Sequence, residues 1–143
     1  MSLRPSVLIV DDDQTIRKLI STILGRRDLD FSTASDGVEA LAMLDKRRYD
    51  VMLLDLMMPR MDGYEVLEKL RGRVNRPFVI LVSAQSDYLP LGLDPTLVHS
   101  ILRKPFDIEF LVDLIFSAAA GAPDALLDDH STALPLSQLV PVA

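Results

Sequence analysis

Short apolar runs alternate with longer amphipathic segments along the chain as far as residue 120. Four runs, at residues 7–10, 51–54, 78–82 and, more weakly, 98–102, are almost continuously apolar. Such runs predict strands buried on both faces, as in a parallel sheet that is covered by helices. A fifth segment, residues 29–34, alternates apolar and polar side chains and predicts a strand nearer the edge of the sheet.

The segments between the runs have helical periodicity. Residues 13–24 place apolar side chains three and four positions apart, and Gly25 is expected to end that helix. Asp13 is expected to cap this helix, and Asp36 to cap a helix over 37–47. Further helices are predicted at 62–70 and 107–119. Alternating strands and helices predict an α/β fold, a three-layer α/β/α sandwich. Five strands predict a flavodoxin-like, doubly wound five-stranded parallel sheet of order 2-1-3-4-5.

Two regions depart from this pattern. The helix expected between the fourth and fifth strands is interrupted by Pro90, Gly92 and Pro95, which predicts a short or irregular element. Residues 121–143 contain prolines and aspartates but no lysine or arginine, which is typical of a tail or linker. Several leucines in this tail would also allow it to dock on the domain. We therefore divide the chain into a domain at 1–120 and a C-terminal tail at 121–143.

Bulk composition narrows the class of protein. Of the 143 residues, 49% are hydrophobic and 25% are charged, as in soluble globular domains, and the formal net charge is −6. This acidity disfavours direct binding to nucleic acid. The chain has no cysteine, which excludes disulfides and thiolate chemistry. No apolar run is long enough to span a membrane, so we expect a cytoplasmic protein without membrane association.

Acidic residues follow two strands that are neighbours in the predicted sheet. Asp11, Asp12 and Asp13 come after the first strand, and Asp55 ends the third. Ligands of open α/β sheets bind at the carboxyl ends of the strands where the strand order reverses, here between the first and third strands. Helix capping explains Asp13 but neither the other two nor Asp55. Clustered carboxylates repel each other unless a hard cation such as Mg²⁺ (or Mn²⁺) compensates them, so the pattern predicts a metal site.

Two more polar residues lie at strand ends. Ser83 follows the fourth strand and Lys104 follows the fifth. Taken alone, they are a loop hydroxyl and a surface lysine. In the predicted fold both face the acidic pocket, where an ammonium group and a hydroxyl would bind phosphoryl oxygens.

Four separated pieces of sequence together resemble the CheY-like receiver domain of response regulators in bacterial two-component signalling. They are Val-Leu-Ile-Val-Asp-Asp-Asp at 7–13, Asp-Leu-Met-Met-Pro-Arg-Met-Asp-Gly at 55–63, Ser-Ala at 83–84 and Lys-Pro-Phe at 104–106. The resemblance covers roughly residues 6–120. It implies a phosphorylation switch rather than an enzyme with an external substrate, although the domain itself catalyses phosphoryl transfer and its own dephosphorylation.

The resemblance assigns a metal role to four positions. Asp11 and Asp12 form the acidic pair that binds Mg²⁺, with Asp12 the more direct ligand. Asp55 is the phosphoacceptor and also a ligand, and the backbone carbonyl of Met57 completes the protein ligands.

It also assigns the groups that handle the phosphoryl group. Ser83 contacts the phosphoryl group after transfer, and Lys104 pairs with Asp55 and then with the phosphate. A cis bond is expected between Lys104 and Pro105. The implied donor is a sensor histidine kinase or a phosphotransfer protein.

One position departs from the family. An aromatic residue usually lies three positions before the lysine and turns inward when the Ser/Thr moves; here that position is Ile101. With the interrupted fourth helix, this predicts intact phosphorylation chemistry and an atypical output face. The apolar last helix is expected to be mostly core, which leaves room for a homodimer contact along the last strand and helix.

Two alternatives remain open from the sequence. Asp-Asp-Asp-Gln-Thr at 11–15 fits the Asp-x-Asp-x-Thr pattern of haloacid-dehalogenase-like phosphatases, with Asp11 as nucleophile, Asp13 as general acid and residues 128–129 as a later motif. Asp55 would then have no role. The second alternative is an interaction module that is not phosphorylated. The chain is either a stand-alone receiver or part of a longer protein with an effector.

Overall fold

The computed structural model describes residues 4–84, 94–120 and 133–135. In chain order the elements are β1 (Ser6–Val10), α1 (Gln14–Arg26), β2 (Asp30–Ala34), α2 (Gly37–Lys46), β3 (Val51–Asp55), α3 (Gly63–Leu70), β4 (Phe78–Ser83), β5 (Val98–Arg103), α4 (Ile108–Ala119) and β6 (Ala133–Pro135). The five predicted strands and four of the predicted helices are present. The interrupted helix predicted between β4 and β5 falls on residues 85–93, which lie outside the described residues.

The sheet has the strand order β2-β1-β3-β4-β5-β6. Strands β1 to β5 pair in parallel, so the predicted 2-1-3-4-5 order is confirmed. The sixth strand was not predicted as a strand. It pairs antiparallel with β5, with Leu134 opposite Ile101. Part of the tail therefore docks on the sheet edge, where its backbone hydrogen-bonds to the otherwise open side of β5.

Aspartates begin the four described helices. Asp13, Asp36, Asp62 and Asp107 each accept a hydrogen bond from a backbone N–H of the first turn. The predicted caps at Asp13 and Asp36 are thus confirmed. The predicted stop at Gly25 is wrong, because α1 continues to Arg26. The chain reverses instead at Asp28, whose φ of 58° is left-handed.

Alternate residues of the buried strands face opposite layers of helices. One core cluster contains Leu8, Leu54 and Leu81 from the sheet and Val66 and Leu70 from α3. The other contains Ile9, Leu53 and Ile80 from the sheet, with side chains of α1 and α4. All five residues of β3 are buried, so the strand that ends in Asp55 is held on both faces. Among the described residues, no helix is both long and apolar enough to cross a membrane.

Candidate functional site

Three carboxylates meet where the strand order reverses. Strands β1 and β3 are neighbours, and Val10 lies opposite Leu54, which places the residues that follow them side by side. Oxygen atoms of Asp11, Asp12 and Asp55 all lie within 4.8 Å of one another. Asp11 and Asp55 are buried, whereas Asp12 is exposed. The structure thus brings together the three residues that the sequence assigned to a metal site.

Backbone and side-chain contacts fix Asp11. Its N–H donates to the carbonyl of Ala34 at 3.2 Å, and its Oδ1 accepts from the N–H of Asp13 at 2.9 Å. Nη1 of Arg17, on α1, donates to the Asp11 carbonyl at 2.6 Å. The β1–α1 turn is therefore held from the neighbouring strand and from the helix that follows it. Sequence reasoning missed Arg17; its place one turn after the N-cap was the available signal.

Lys104 lies between two of the carboxylates. Its Nζ is 3.2 Å from Oδ2 of Asp11 and 3.7 Å from Oδ1 of Asp55. The predicted pairing with Asp55 is present, but the shorter contact is with Asp11. Burial alone would lower the pKa of Lys104, yet the carboxylates of Asp11 and Asp55 outweigh it and leave the pKa above its ordinary value. The lysine is therefore charged at neutral pH. The expected cis bond between Lys104 and Pro105 is present.

Asp55 is buried in an electrostatically unfavourable place for a carboxylate. Its exposed fraction is 5%. Burial and, after it, the charge of Asp11 raise its pKa to about 7, and the charge of Lys104 opposes them only in part. Near neutral pH both the protonated and the ionised form of the metal-free Asp55 carboxyl are therefore populated.

Ser83 lies at the end of β4 with its side chain fully buried. Its Oγ has no hydrogen-bond partner among the described residues. The next strand is fixed against it, because the N–H of Lys104 donates to the Ser83 carbonyl at 2.8 Å. Buried hydroxyls are usually hydrogen-bonded, so this group is available for a further acceptor.

The β3–α3 loop, residues 56–62, follows directly after Asp55. The N–H of Gly63 donates to the carbonyl of Leu56 at 2.8 Å, which joins the two ends of the loop. A Cβ on Gly63 would lie 2.8 Å from the Asp55 carbonyl oxygen and from the Leu56 Cα. Glycine is therefore needed for α3 to approach the backbone of Asp55. The side chain of Met57 is 59% exposed, so only its backbone is assigned to the pocket.

These residues fit a hard divalent cation. An octahedral Mg²⁺ shell with bonds of about 2.1 Å spans about 4.2 Å between opposite oxygens, and the oxygens of the three carboxylates lie within 4.8 Å of one another. Burial and the charge of Asp11 raise the pKa of Asp55, and Lys104 offsets them only in part. A bound cation would supply further positive charge beside the carboxylates.

The phosphatase alternative fits the geometry less well. Asp13, its general acid, uses Oδ1 to accept from the N–H groups of Thr15 at 2.9 Å and Ile16 at 3.4 Å, as a helix cap does. Asp55, for which that alternative has no role, belongs to the cluster instead. Residues 128–129 lie outside the described part of the chain.

Comparisons with known proteins agree with this geometry. The family model of the response regulator receiver domain matches residues 7–116. Response regulator MprA of Mycobacterium tuberculosis is 38% identical over 114 residues, which cover 78% of this chain and 48% of MprA. The probable transcriptional regulator ycf27 of Guillardia theta is 34% identical over 137 residues, which cover 92% of this chain and 52% of the relative. The chain thus spans about half the length of these relatives.

Solved structures show the same similarity. The receiver domain of the Francisella response regulator 1452 matches with a TM-score of 0.71 and 30% identity, covering 82% of this chain and 98% of that one. A CheY-like response regulator receiver domain protein from Methanospirillum hungatei JF-1 matches with a TM-score of 0.73 and 29% identity, covering 81% and 94%.

Proposed function

The chain belongs to the family of response regulator receiver domains, and on that premise we propose that Asp55 accepts a phosphoryl group in a Mg²⁺-dependent reaction. The observation that carries the proposal is the meeting of Asp11, Asp12 and Asp55 beside Lys104 at the strand ends. Response regulators receive phosphoryl groups from sensor histidine kinases. A kinase or phosphotransfer-protein phosphohistidine is therefore the proposed donor.

Each residue has a distinct part in the transfer. Asp11, Asp12, Asp55 and the carbonyl of Met57 are the proposed protein ligands of Mg²⁺ (or Mn²⁺). When bound there, the cation neutralises charge on the phosphoryl oxygens. A carboxylate oxygen of Asp55 attacks phosphorus while the P–N bond of phosphohistidine breaks, and the product is an acyl phosphate. Water later hydrolyses that bond.

Lys104 and Ser83 act on the transferred group. Lys104 has its ammonium within reach of Asp55, so it would stabilise the negative oxygens during transfer and afterwards pair with the phosphate. The hydroxyl of Ser83, which has no hydrogen-bond partner among the described residues, would donate to a phosphoryl oxygen.

The output face is proposed to be atypical. Ile101, where the family usually has an aromatic switch residue, is fully buried in the core of the sheet. A branched aliphatic side chain in this place has no polar group with which to exchange partners. We therefore propose that phosphorylation changes the output surface without an inward turn at this position. We also propose that the chain forms a homodimer through the face of its last strand and helix.

Treatment with acetyl phosphate tests the proposal directly. Intact mass should rise by one phosphoryl group per chain when Mg²⁺ or Mn²⁺ is present, and the gain should disappear with a chelator. Reduction of the acyl phosphate with borohydride should place the modification at residue 55. An unchanged mass in Mg²⁺, together with no binding of beryllofluoride, would contradict the proposal.

Replacement of Lys104 with methionine is expected to slow phosphorylation by roughly 100-fold, because one preorganised charge for the phosphoryl oxygens is lost. It should also raise the pKa of Asp55 further, since Lys104 is the group that lowers it. Initial rates by intact mass and a ¹³C NMR titration of the Asp55 carboxyl measure the two effects. Lys46→Met, at the exposed end of α2, is the control. An unchanged rate and pKa in Lys104→Met would rule out the assigned role.

A further inference from the structure

We propose that Arg60 is a positioning residue of the metal site, which holds the β3–α3 loop in place through its ion pair with Asp36 at the start of α2. This inference rests on the proposed function, because the loop carries the Met57 carbonyl that is assigned to the metal. Arg60 itself touches neither the carboxylate cluster nor the phosphoryl group in this assignment. Its effect would be to fix the position of the Met57 carbonyl.

Asp36 has a separate contact for each carboxylate oxygen. Oδ1 accepts from the N–H of Glu39 at 2.9 Å and caps α2, and Oδ2 lies 2.5 Å from Nη2 of Arg60. The Asp36 side chain is only 10% exposed. The hydrogen bond from Glu39 lowers the pKa of Asp36 most, burial opposes it, and Arg60 lowers the pKa again, so that the carboxyl stays ionised. A buried carboxylate at the start of α2 therefore faces the guanidinium of the loop.

The backbone of Arg60 is unfavourable for arginine. Its φ is 66°, in the left-handed region that glycine and asparagine adopt most readily. Arginine in this place bears strain that the surrounding structure must offset. The charge-assisted contact with Asp36 is an interaction that glycine or asparagine would lack.

A steric contact beside the ion pair holds the same two segments together. A Cβ on Gly37 would lie 2.9 Å from the Met61 carbonyl oxygen and 2.6 Å from Cγ2 of Val66. The first residue of α2 thus packs directly on the loop residue that follows Arg60. The ion pair of Asp36 with Arg60 and the contact of Gly37 with Met61 are therefore adjacent, and together they join the start of α2 to the loop.

The loop is short and fixed at both ends, so a tether in its middle determines its shape. The Leu56 N–H donates to the Val82 carbonyl at 3.2 Å, and the Gly63 N–H donates to the Leu56 carbonyl at 2.8 Å. Between these points the Met61 N–H donates to the Pro59 carbonyl at 2.8 Å, so the chain turns at Arg60. Without the tether at Arg60, the peptide that carries the Met57 carbonyl would sample other orientations.

The test compares variants that remove the ion pair while preserving the fold. Arg60→Asn removes the guanidinium but tolerates the left-handed backbone. Asp36→Asn removes the charge but keeps a side-chain oxygen for the helix cap. The double variant shows whether the two residues act together. Arg73→Asn is the matched control, because Arg73 pairs with Asp45 at 2.9 Å away from the strand ends that form the pocket.

Titration of the metal-free chain with MgCl₂ by isothermal titration calorimetry provides the readout, and urea unfolding without Mg²⁺ checks stability. Both single variants should bind Mg²⁺ roughly tenfold more weakly, as is typical when groups that orient metal ligands are lost. The double variant should be no weaker than either single one, and Arg73→Asn should match the wild type. The unfolding free energy of Arg60→Asn should change little, because relief of strain offsets the lost ion pair. A purely structural role would instead move stability and leave Mg²⁺ affinity unchanged.

Each contrary result has a separate meaning. If the wild type binds Mg²⁺ and both single variants bind it equally well, the positioning role is refuted and the proposed function stands. If the loss of Mg²⁺ affinity in the double variant equals the product of the losses in the two single variants, Arg60 and Asp36 act independently. Their ion pair would then not be what positions the loop. If the wild type does not bind Mg²⁺, the metal site of the proposed function and this inference fail together.

Discussion

Asp55→Asn is expected to abolish phosphorylation and, in the absence of metal, to make the fold more stable at neutral and alkaline pH. The amide keeps the shape of the side chain but has no nucleophilic carboxylate, so no acyl phosphate can form. It also removes a buried negative charge that faces Asp11 and Asp12. Intact mass after acetyl phosphate treatment measures the first effect, and urea unfolding measures the second.

The pKa of Asp55 determines the sign of the stability change. Folding raises this pKa from about 4 to about 7. Between these values the folded chain holds a proton that the unfolded chain has released, so the unfolding free energy of the wild type falls as pH rises. The loss begins near pH 4 and is complete above pH 7. At about 1.4 kcal/mol per pH unit it amounts to at most about 4 kcal/mol.

The asparagine variant should lack this loss. Its advantage over the wild type should be near zero at pH 4 and largest at pH 8. Saturating Mg²⁺ should shrink or reverse the advantage, because the cation stabilises the chain that binds it better. Asp113→Asn, at an exposed position of α4, should show no comparable pH-dependent gain. Parallel stability curves for wild type and Asp55→Asn from pH 4 to 8 would contradict the assigned electrostatics.

The ends of the strands were predictable because each apolar run stops at a polar residue that the parallel sheet brings to the same edge. In the register of Val10 with Leu54, the polar residues that end the two apolar runs lie side by side. Asp11 and Asp55 therefore meet as a consequence of the hydrophobic pattern. The same reasoning predicted the side of the sheet on which Ser83 and Lys104 lie.

Finer features depend on distances that a sequence pattern does not contain. Whether Lys104 is nearer Asp11 or Asp55 is decided by a difference of half an ångström. The left-handed backbone of Arg60 could not be anticipated from an amino acid that rarely adopts it. The added strand β6 is only three residues long, and its pairing is set by the open edge of β5 rather than by its own composition.

The roles of Gly37 and Gly63 were also hidden, because a glycine after an aspartate looks like an ordinary helix start. Both follow an N-cap, Asp36 and Asp62, and both are the first residue of their helix. What distinguishes them is close contact with the β3–α3 loop or with the end of β3. Such contacts appear only when the layers are packed together.

Gly63→Ala is expected to destabilise the domain by roughly 2 kcal/mol, the middle of the range for overpacking in a tightly packed site. The added Cβ would lie 2.8 Å from the Asp55 carbonyl oxygen and from the Leu56 Cα, whereas ordinary contacts begin near 3.4 Å. These are backbone atoms that cannot rotate away. The intrinsic preference of a helix for alanine, up to about 1 kcal/mol, would offset only part of this strain.

The same substitution should slow phosphorylation by about tenfold or more, because relief of the contact moves the backbone of Asp55 and Leu56, and small displacements of reacting groups have large effects on rate. Gly72→Ala is the control, since a Cβ there has no neighbour within 4 Å. It should leave the rate unchanged and the stability equal or slightly higher. Urea unfolding and initial rates with acetyl phosphate measure both variants. If Gly63→Ala behaved like Gly72→Ala, α3 would have room to retreat, and the close approach of this helix to β3 would not be what positions Asp55.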